Sequence, residues 1–268
     1  MTVLTVIKKY WLIILELGKI SLMKMMEYNT DFWFWTVISI MWTIFNFFFF
    51  TIILNVTTTI AGWTQAELYV LLSVFTMLDA MTWNLMAPNM WSYTDDIFQG
   101  SLSTLMLKPV DLQFVTMCRE ISLNLLPRFT IGLAALFWSL NLAGVKPTPA
   151  VFIYFFVLLL ASFMLVYSIW YLTCTLAFWT EKLDNINEII PGLRRAWQIP
   201  RQVYSGLTSV LLTIVVPLGL ATSVPSEILL GKDAGWFTWY LLMTSLLSLL
   251  IARWFLAISI KKYTSVGG

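Results

Sequence analysis

The sequence predicts an all-α membrane protein: six transmembrane helices, an N-terminal amphipathic helix lying in the membrane plane, and a short cytoplasmic helix between spans two and three. Three observations lead there. The 268 residues are 59% hydrophobic and 11% charged, against about 45–50% and about 25% in soluble domains. Long windows nearly free of charge recur along the chain, and each reaches the ~20 residues that a hydrocarbon core about 30 Å thick requires. The apolar runs are continuous rather than alternating, which selects spanning helices over barrel strands. A soluble globule of this length would need more polar surface than the chain owns. Disorder is excluded by the apolar load itself.

Residues 1–30 come first. At about 100° per residue, Lys8, Lys9, Glu16, Lys19, Lys24 and Glu27 fall on one helix face, and Trp11, Ile14, Leu15, Leu22, Met25 and Met26 cover much of the rest. Such a helix suits the cytoplasmic interface, as a plain anchor or with a further role. Charges throughout the first 28 residues, with no compact apolar core before a small-residue site, argue against a cleaved signal peptide. Asn29-Thr30-Asp31 supplies a cap, and span one follows at about 32–55. Span two, 66–93, holds Asp79 as its one charge beyond Glu67 at its start, and span three, 118–142, holds Arg128 as its one internal charge beyond Arg119 and Glu120 at its start. Spans four, five and six cover about 150–179, 203–223 and 236–258. The longest stretch left outside the membrane is about 181–201, too short for a soluble domain, so residues 1–268 form a single transmembrane domain.

Orientation follows from the basic residues. Six spans put both termini on one side, with Lys8, Lys9, Lys19, Lys24, Lys108, Arg119, Lys182, Arg194, Arg195, Arg201, Lys261 and Lys262. Lys146 and Lys232 lie opposite. Lys and Arg collect on the cytoplasmic side, so the termini are expected there.

Absences narrow the chemistry. The chain has no His, which removes imidazole bases and every His-based metal site. Cys118 and Cys174 lie far apart in apolar surroundings and read as small hydrophobes. No phosphate-cradling Gly-rich loop ends in Gly-Lys-Ser/Thr. No span carries paired carboxylates on one face or a nucleophile beside a base, so neither an intramembrane enzyme nor a nucleotide hydrolase is expected. No cofactor is expected on this chain, and nucleic acid is not among the expected partners.

The connection 94–109 is the most informative segment. Thr94 or Asp95 can cap a helix, and the carboxylates of Asp95 and Asp96 suit its positive end. Leu102, Leu105 and Met106 have helical spacing and make a small apolar face, and Pro109 ends the run. Nothing in the sequence is set aside to cover that face. It is either a docking helix for a cytosolic partner or a plain interfacial turn.

The stretch Ile97…Gly100-Ser101-Leu102…Leu105-Met106-Leu107-Lys108-Pro109-Val110 resembles the coupling-helix region of ATP-binding cassette (ABC) type-2 export permeases, in their small six-span bacterial branch. That branch has Asp where this chain has Ser103 and Leu where it has Met106. Phe178-Trp179-Thr180, Val216-Pro217 and Pro225-Ser226-Glu227-Ile228-Leu229-Leu230-Gly231 agree with the same branch. The resemblance implies a permease subunit in a bacterial cytoplasmic membrane. It would form half of a translocation path with a second copy or a sister permease. Separate ATPase subunits would bind ATP and Mg and dock on Thr94, Asp95, Asp96, Ile97, Phe98, Gly100, Leu102, Leu105, Met106, Lys108 and Pro109. Its rival is a six-span scaffold that anchors a complex and transports nothing.

Of the polar groups inside predicted spans, Asp79, Asn84 and Arg128 are singled out. A charge at the bilayer centre costs about 2.5–3.5 kcal/mol on insertion scales, so each should face protein or water. Asp79 either contacts a substrate or proton or is held by a neighbouring helix. Arg128 either snorkels to the interface or pairs with Asp79. A bundle this poor in charge suits an amphipathic, lipid-like or peptide cargo better than an ion or a sugar.

Overall fold

The computed structural model describes residues 3–56, 59–122, 125–180 and 185–263. The elements are α1 (Val3–Glu27), α2 (Asn29–Val56), a two-stranded hairpin of β1 (Thr59–Ile60) and β2 (Trp63–Thr64), α3 (Gln65–Met81), α4 (Ala87–Gln99), α5 (Leu102–Met106), α6 (Leu112–Cys118), α7 (Leu125–Leu142), α8 (Pro149–Thr175), α9 (Ile189–Gly192), α10 (Gly206–Val210), α11 (Leu220–Leu229) and α12 (Phe237–Ser259). The protein is an all-α membrane protein. Among the described residues four helices are long and apolar enough to cross a bilayer: Asn29–Asn55, Gln65–Gln99, Pro149–Phe178 and Phe237–Lys262. They coincide with predicted spans one, two, four and six.

Gln65–Gln99 is the central helix. It starts where the Glu67 carboxylate accepts from the Thr64 amide at 2.8 Å. One wide turn, Thr82–Met86, interrupts its α geometry. Such i→i+5 turns loosen the backbone ladder, and here the Asn84 carbonyl accepts from the Ser122 amide at 3.1 Å. Most of the helix is buried, with α7 packed along α3, and α12 and α11 along α8. Polar side chains facing this core bond back to their own helices, as in Ser73 to the Tyr69 carbonyl and Ser162 to the Leu158 carbonyl.

The α3–α7 seam depends on a missing side chain. A Cβ at Gly132 would lie 2.9 Å from Met77 Cγ, 3.2 Å from the Met77 backbone nitrogen and 3.3 Å from Thr76 Cγ2. Gly132→Val is therefore expected to push α7 off α3 and cost about 1–3 kcal/mol, read as a lower unfolding midpoint of the detergent-purified protein. An unchanged midpoint would show that the seam yields.

Three sequence expectations are corrected. The helix expected as span three does not run unbroken from 118: Asp111 caps the separate α6 by accepting from the Phe114 amide at 3.1 Å, residues 119–122 are not helical, and α7 is described from Leu125. The uninterrupted span 203–223 does not form. Gly206–Val215 and Pro217–Leu229 meet at 80°. Pro217 disfavours helical geometry at the residue before it, and Val216 sits at φ −125° and ψ 81°.

The third correction concerns 181–201, expected as a cytoplasmic loop. Residues 181–184, with Lys182, lie outside the described residues. The rest runs lengthwise along the central helix. Asn187 donates to Thr94 near one end of it. Arg194 reaches Asp79 at its middle. Gln198 bonds Asn46 of α2 at 2.7 Å, and Thr222 donates to the Trp197 carbonyl. Gln202 accepts from Trp63 at 3.2 Å, beside the helix start. Short turns at Ile186–Glu188, Arg194–Trp197 and Arg201–Val203, with α9 between, build this path. Ile186, Ile190 and Trp197 bury its inner side. The neighbouring helices supply the hydrogen-bond partners of this irregular stretch.

Candidate functional site

Asp79 is the hinge of a buried charge cluster. It is 1% exposed, and both carboxylate oxygens are occupied. Arg194 grips them with Nε and Nη2, and Arg128 adds Nη2 from α7. The Arg194 guanidinium also lies 5.4 Å from the Phe75 ring centre and 5.7 Å from that of Trp83, close enough for a cation–π attraction. Two cations on one anion leave a net positive charge. Both oxygens of Asp79 are taken by guanidinium groups, in charge-assisted hydrogen bonds. The sequence paired Arg128 with Asp79 as one of two options and missed Arg194. The signal available was the apolar setting of that arginine, between Ile189-Ile190 and Ala196-Trp197. Asn84 does not touch Asp79; its amide bonds the Ala80 carbonyl at 2.7 Å.

At the far end of the central helix lies the turn singled out from the sequence. It is not one helix over 94–109. Thr94 caps nothing: its hydroxyl bonds back to the Met90 and Trp91 carbonyls, because no breaker precedes Gly100 and α4 runs on. Gly100 ends α4 at φ 75°, a conformation that suits glycine. Asp96 is held by Ser101 and by Arg119, each at 2.6 Å, while Asp95 is exposed.

The apolar face expected to await a partner is also corrected. Leu102 is fully buried, Leu105 nearly so, and Ile97 joins them in this chain's own core. Phe98 packs against that core, half-buried. What faces outward is Met106, at 41% exposure, with Lys108 and Pro109, and above all Leu107 at 86%. Leu107 was not among the expected site residues. Its position three residues after Thr104, on the side of α5 away from Leu102 and Leu105, was the available signal.

Several elements clamp this turn. Lys9 of α1 donates to the Pro109 carbonyl, and the Asp111 amide donates to the Tyr10 hydroxyl at 3.2 Å. The Tyr10 ring meets Phe114 edge-on at 4.5 Å. Arg253 of α12 binds Asp111 at 2.8 Å, and the Ser103 amide donates to the Tyr263 hydroxyl at 3.3 Å. Among the described residues no cluster of three or more Cys, Asp or Glu could hold a metal ion.

The family model described as "ABC-2 family transporter protein" matches residues 40–267. The chain belongs to the ABC-2 transporter family. That family supplies the membrane component of ABC transporters, so the chain is a permease component and not itself the catalytic one. No curated protein and no solved structure matches the permease. The match takes in the long helix, the clamped turn and the Asp79 cluster. It leaves out α1, whose Lys9 and Tyr10 close the clamp from outside the matched region.

Proposed function

We propose that the permease forms half of the translocation path of an ATP-driven exporter and is driven through the turn at Leu107 by separate ATPase subunits that bind ATP and Mg. The carrying observation is an exposed apolar tip on a clamped base. Leu107 gains about 1.5–3 kcal/mol if a partner covers it fully. Lys9, Tyr10, Arg253 and Tyr263 hold the surrounding turn, so a push on Leu107 moves α1 and α12 with it. The docking surface is then Asp95, Met106, Leu107, Lys108 and Pro109, and Thr94, Ile97, Phe98, Gly100, Leu102 and Leu105 are the seat beneath it.

In this reading the chain crosses the membrane six times. The 18 residues of α7, about 27 Å at 1.5 Å each, supply one crossing beyond the four long helices. Residues 185–229 supply another. The basic residues support cytoplasmic termini even with Arg201 counted on the Lys232 side, in a bacterial cytoplasmic membrane. The amphipathic α1 lies in the interface, and a second copy or sister permease faces this one.

Coexpression with the partner ATPase tests the proposal. The wild-type chain should copurify with a Walker-motif ATPase whose hydrolysis responds to cargo. Leu107→Asp should cut that recovery at least tenfold with no change in unfolding midpoint. If Leu107→Asp keeps its ATPase and exports normally, the docking surface is wrong. An ATPase that copurifies but never responds to cargo marks a scaffold.

A further inference from the structure

A cavity of about 570 Å³ opens between α2, the central helix, α7 and the 185–203 segment. Four tryptophans line it, Trp35 and Trp42 from α2 with Trp83 and Trp91 opposite, and Arg128 and Arg194 stand in its wall. We propose that this cavity binds an amphiphile by its anionic headgroup, a phosphate or carboxylate, with the apolar chain lying against the tryptophans.

Charge makes the first part of the argument. The two guanidinium groups share one carboxylate, Asp79, and so carry one uncompensated positive charge into a mostly apolar bundle. Arg128 is only 7% exposed, and its Nε has no hydrogen-bond partner among the described residues. Buried donors are nearly always satisfied, and a guanidinium fork matches phosphate or carboxylate in shape. Arg194 keeps 20% of its side chain exposed, which leaves it a free edge. Among the described lining residues the one carboxylate, Asp31, is an exposed group on the first turn of α2.

Shape and chemistry of the wall make the second part. A free inorganic anion would gain nothing from four indoles, whereas an acyl or other apolar chain would. The outer tryptophans are half exposed, Trp35 at 51% and Trp42 at 49%, so α2 forms a wall open to the membrane side, through which a bilayer amphiphile could enter. That the ligand is cargo rests on the permease reading; that it binds does not.

The purified full chain in an uncharged detergent, titrated calorimetrically with dioctanoyl phosphatidic acid, tests this. The expected result is saturable binding. Dioctanoyl phosphatidylcholine should bind at least tenfold more weakly, and inorganic phosphate should not bind. Arg128→Gln leaves the Asp79–Arg194 pair intact and should weaken phosphatidic acid at least tenfold. Trp42→Ala alters a half-exposed side chain, leaves every charge in place, and should weaken it severalfold. Equal binding of the two lipids overturns the proposal. So does wild-type affinity in both variants, and so does binding of inorganic phosphate as tight as that of the lipid. Phosphatidic acid bound by a chain that recovers no ATPase would keep the site and remove the cargo role. An ATPase recovered without lipid binding would overturn the site and leave the permease reading standing.

Discussion

Replacing Asp79 by alanine is expected to abolish recovery of folded permease. The change strands two guanidinium groups, Arg128 at 7% exposure and Arg194 with 20% of its side chain exposed, with no anion between them. Removing one partner from a buried ion cluster costs about 3–5 kcal/mol, a large share of the 5–15 kcal/mol that holds a typical domain together. Asp79→Asn keeps the shape but not the charge and should fail nearly as badly. Adding Arg128→Met to Asp79→Ala should restore part of the loss, because the remaining Arg194 can turn its exposed edge to water or lipid headgroups. The measurement is the amount of monodisperse protein in mild detergent and its unfolding midpoint. Wild-type yield and midpoint for Asp79→Ala would show that the cluster does not hold the fold.

Leu102→Asp should be nearly as damaging, although it lies only five residues from Leu107. Leu102 is fully buried at the foot of α4. An aspartate there must either ionise without a partner or stay protonated without an acceptor, at several kcal/mol in either case. Yield and midpoint should fall sharply for Leu102→Asp and stay level for Leu107→Asp, whose side chain is 86% exposed. If Leu102→Asp folds normally and loses only its ATPase, the residue faces the partner, and its burial in this chain is not what it contributes.

This contrast shows what a local pattern carries. The spacing of Leu102, Leu105 and Met106 announces an apolar face, but it does not say whose surface covers it. Here Leu102 and Leu105 are buried in this chain's own core, in the cluster that also holds Tyr93, Ile97 and residues of α8. Thr94-Asp95 has the composition of a cap, yet a cap needs a preceding break, and α4 has none until Gly100. The four long helices were legible because each carries its signal within itself, as a window nearly free of charge. Pro217 disfavours helix continuation, yet span five was expected to run through it, because whether a proline kinks a span or folds it back is decided by neighbours.

Arg194 was misread for a related reason. Counting basic residues treats each as evidence for water, and the sum over the chain still supports the orientation. An arginine paired with an aspartate 115 positions earlier breaks that assumption, and no window along the chain spans both. Arg201 is the same case, with its partner Glu227 buried in α11 at 3.1 Å. In both instances the electrostatics was readable as a need for a counter-ion, while its identity was fixed by topology.

The irregular path of residues 185–203 also bears on how the permease is made. A helix that satisfies its own backbone can partition into lipid alone as it leaves the ribosome. This stretch cannot: it is broken into single turns and carries Arg194, Arg195 and Arg201. Its polar groups find partners only once α2, the central helix and α11 stand in place. Biogenesis therefore has an order that chain position does not dictate. The middle of the protein is expected to settle no earlier than α11, which follows it in the chain. Until then the cell holds an inserted chain with an open flank, so errors at Asp79 or Glu227 surface as failures of maturation and turnover, upstream of any transport.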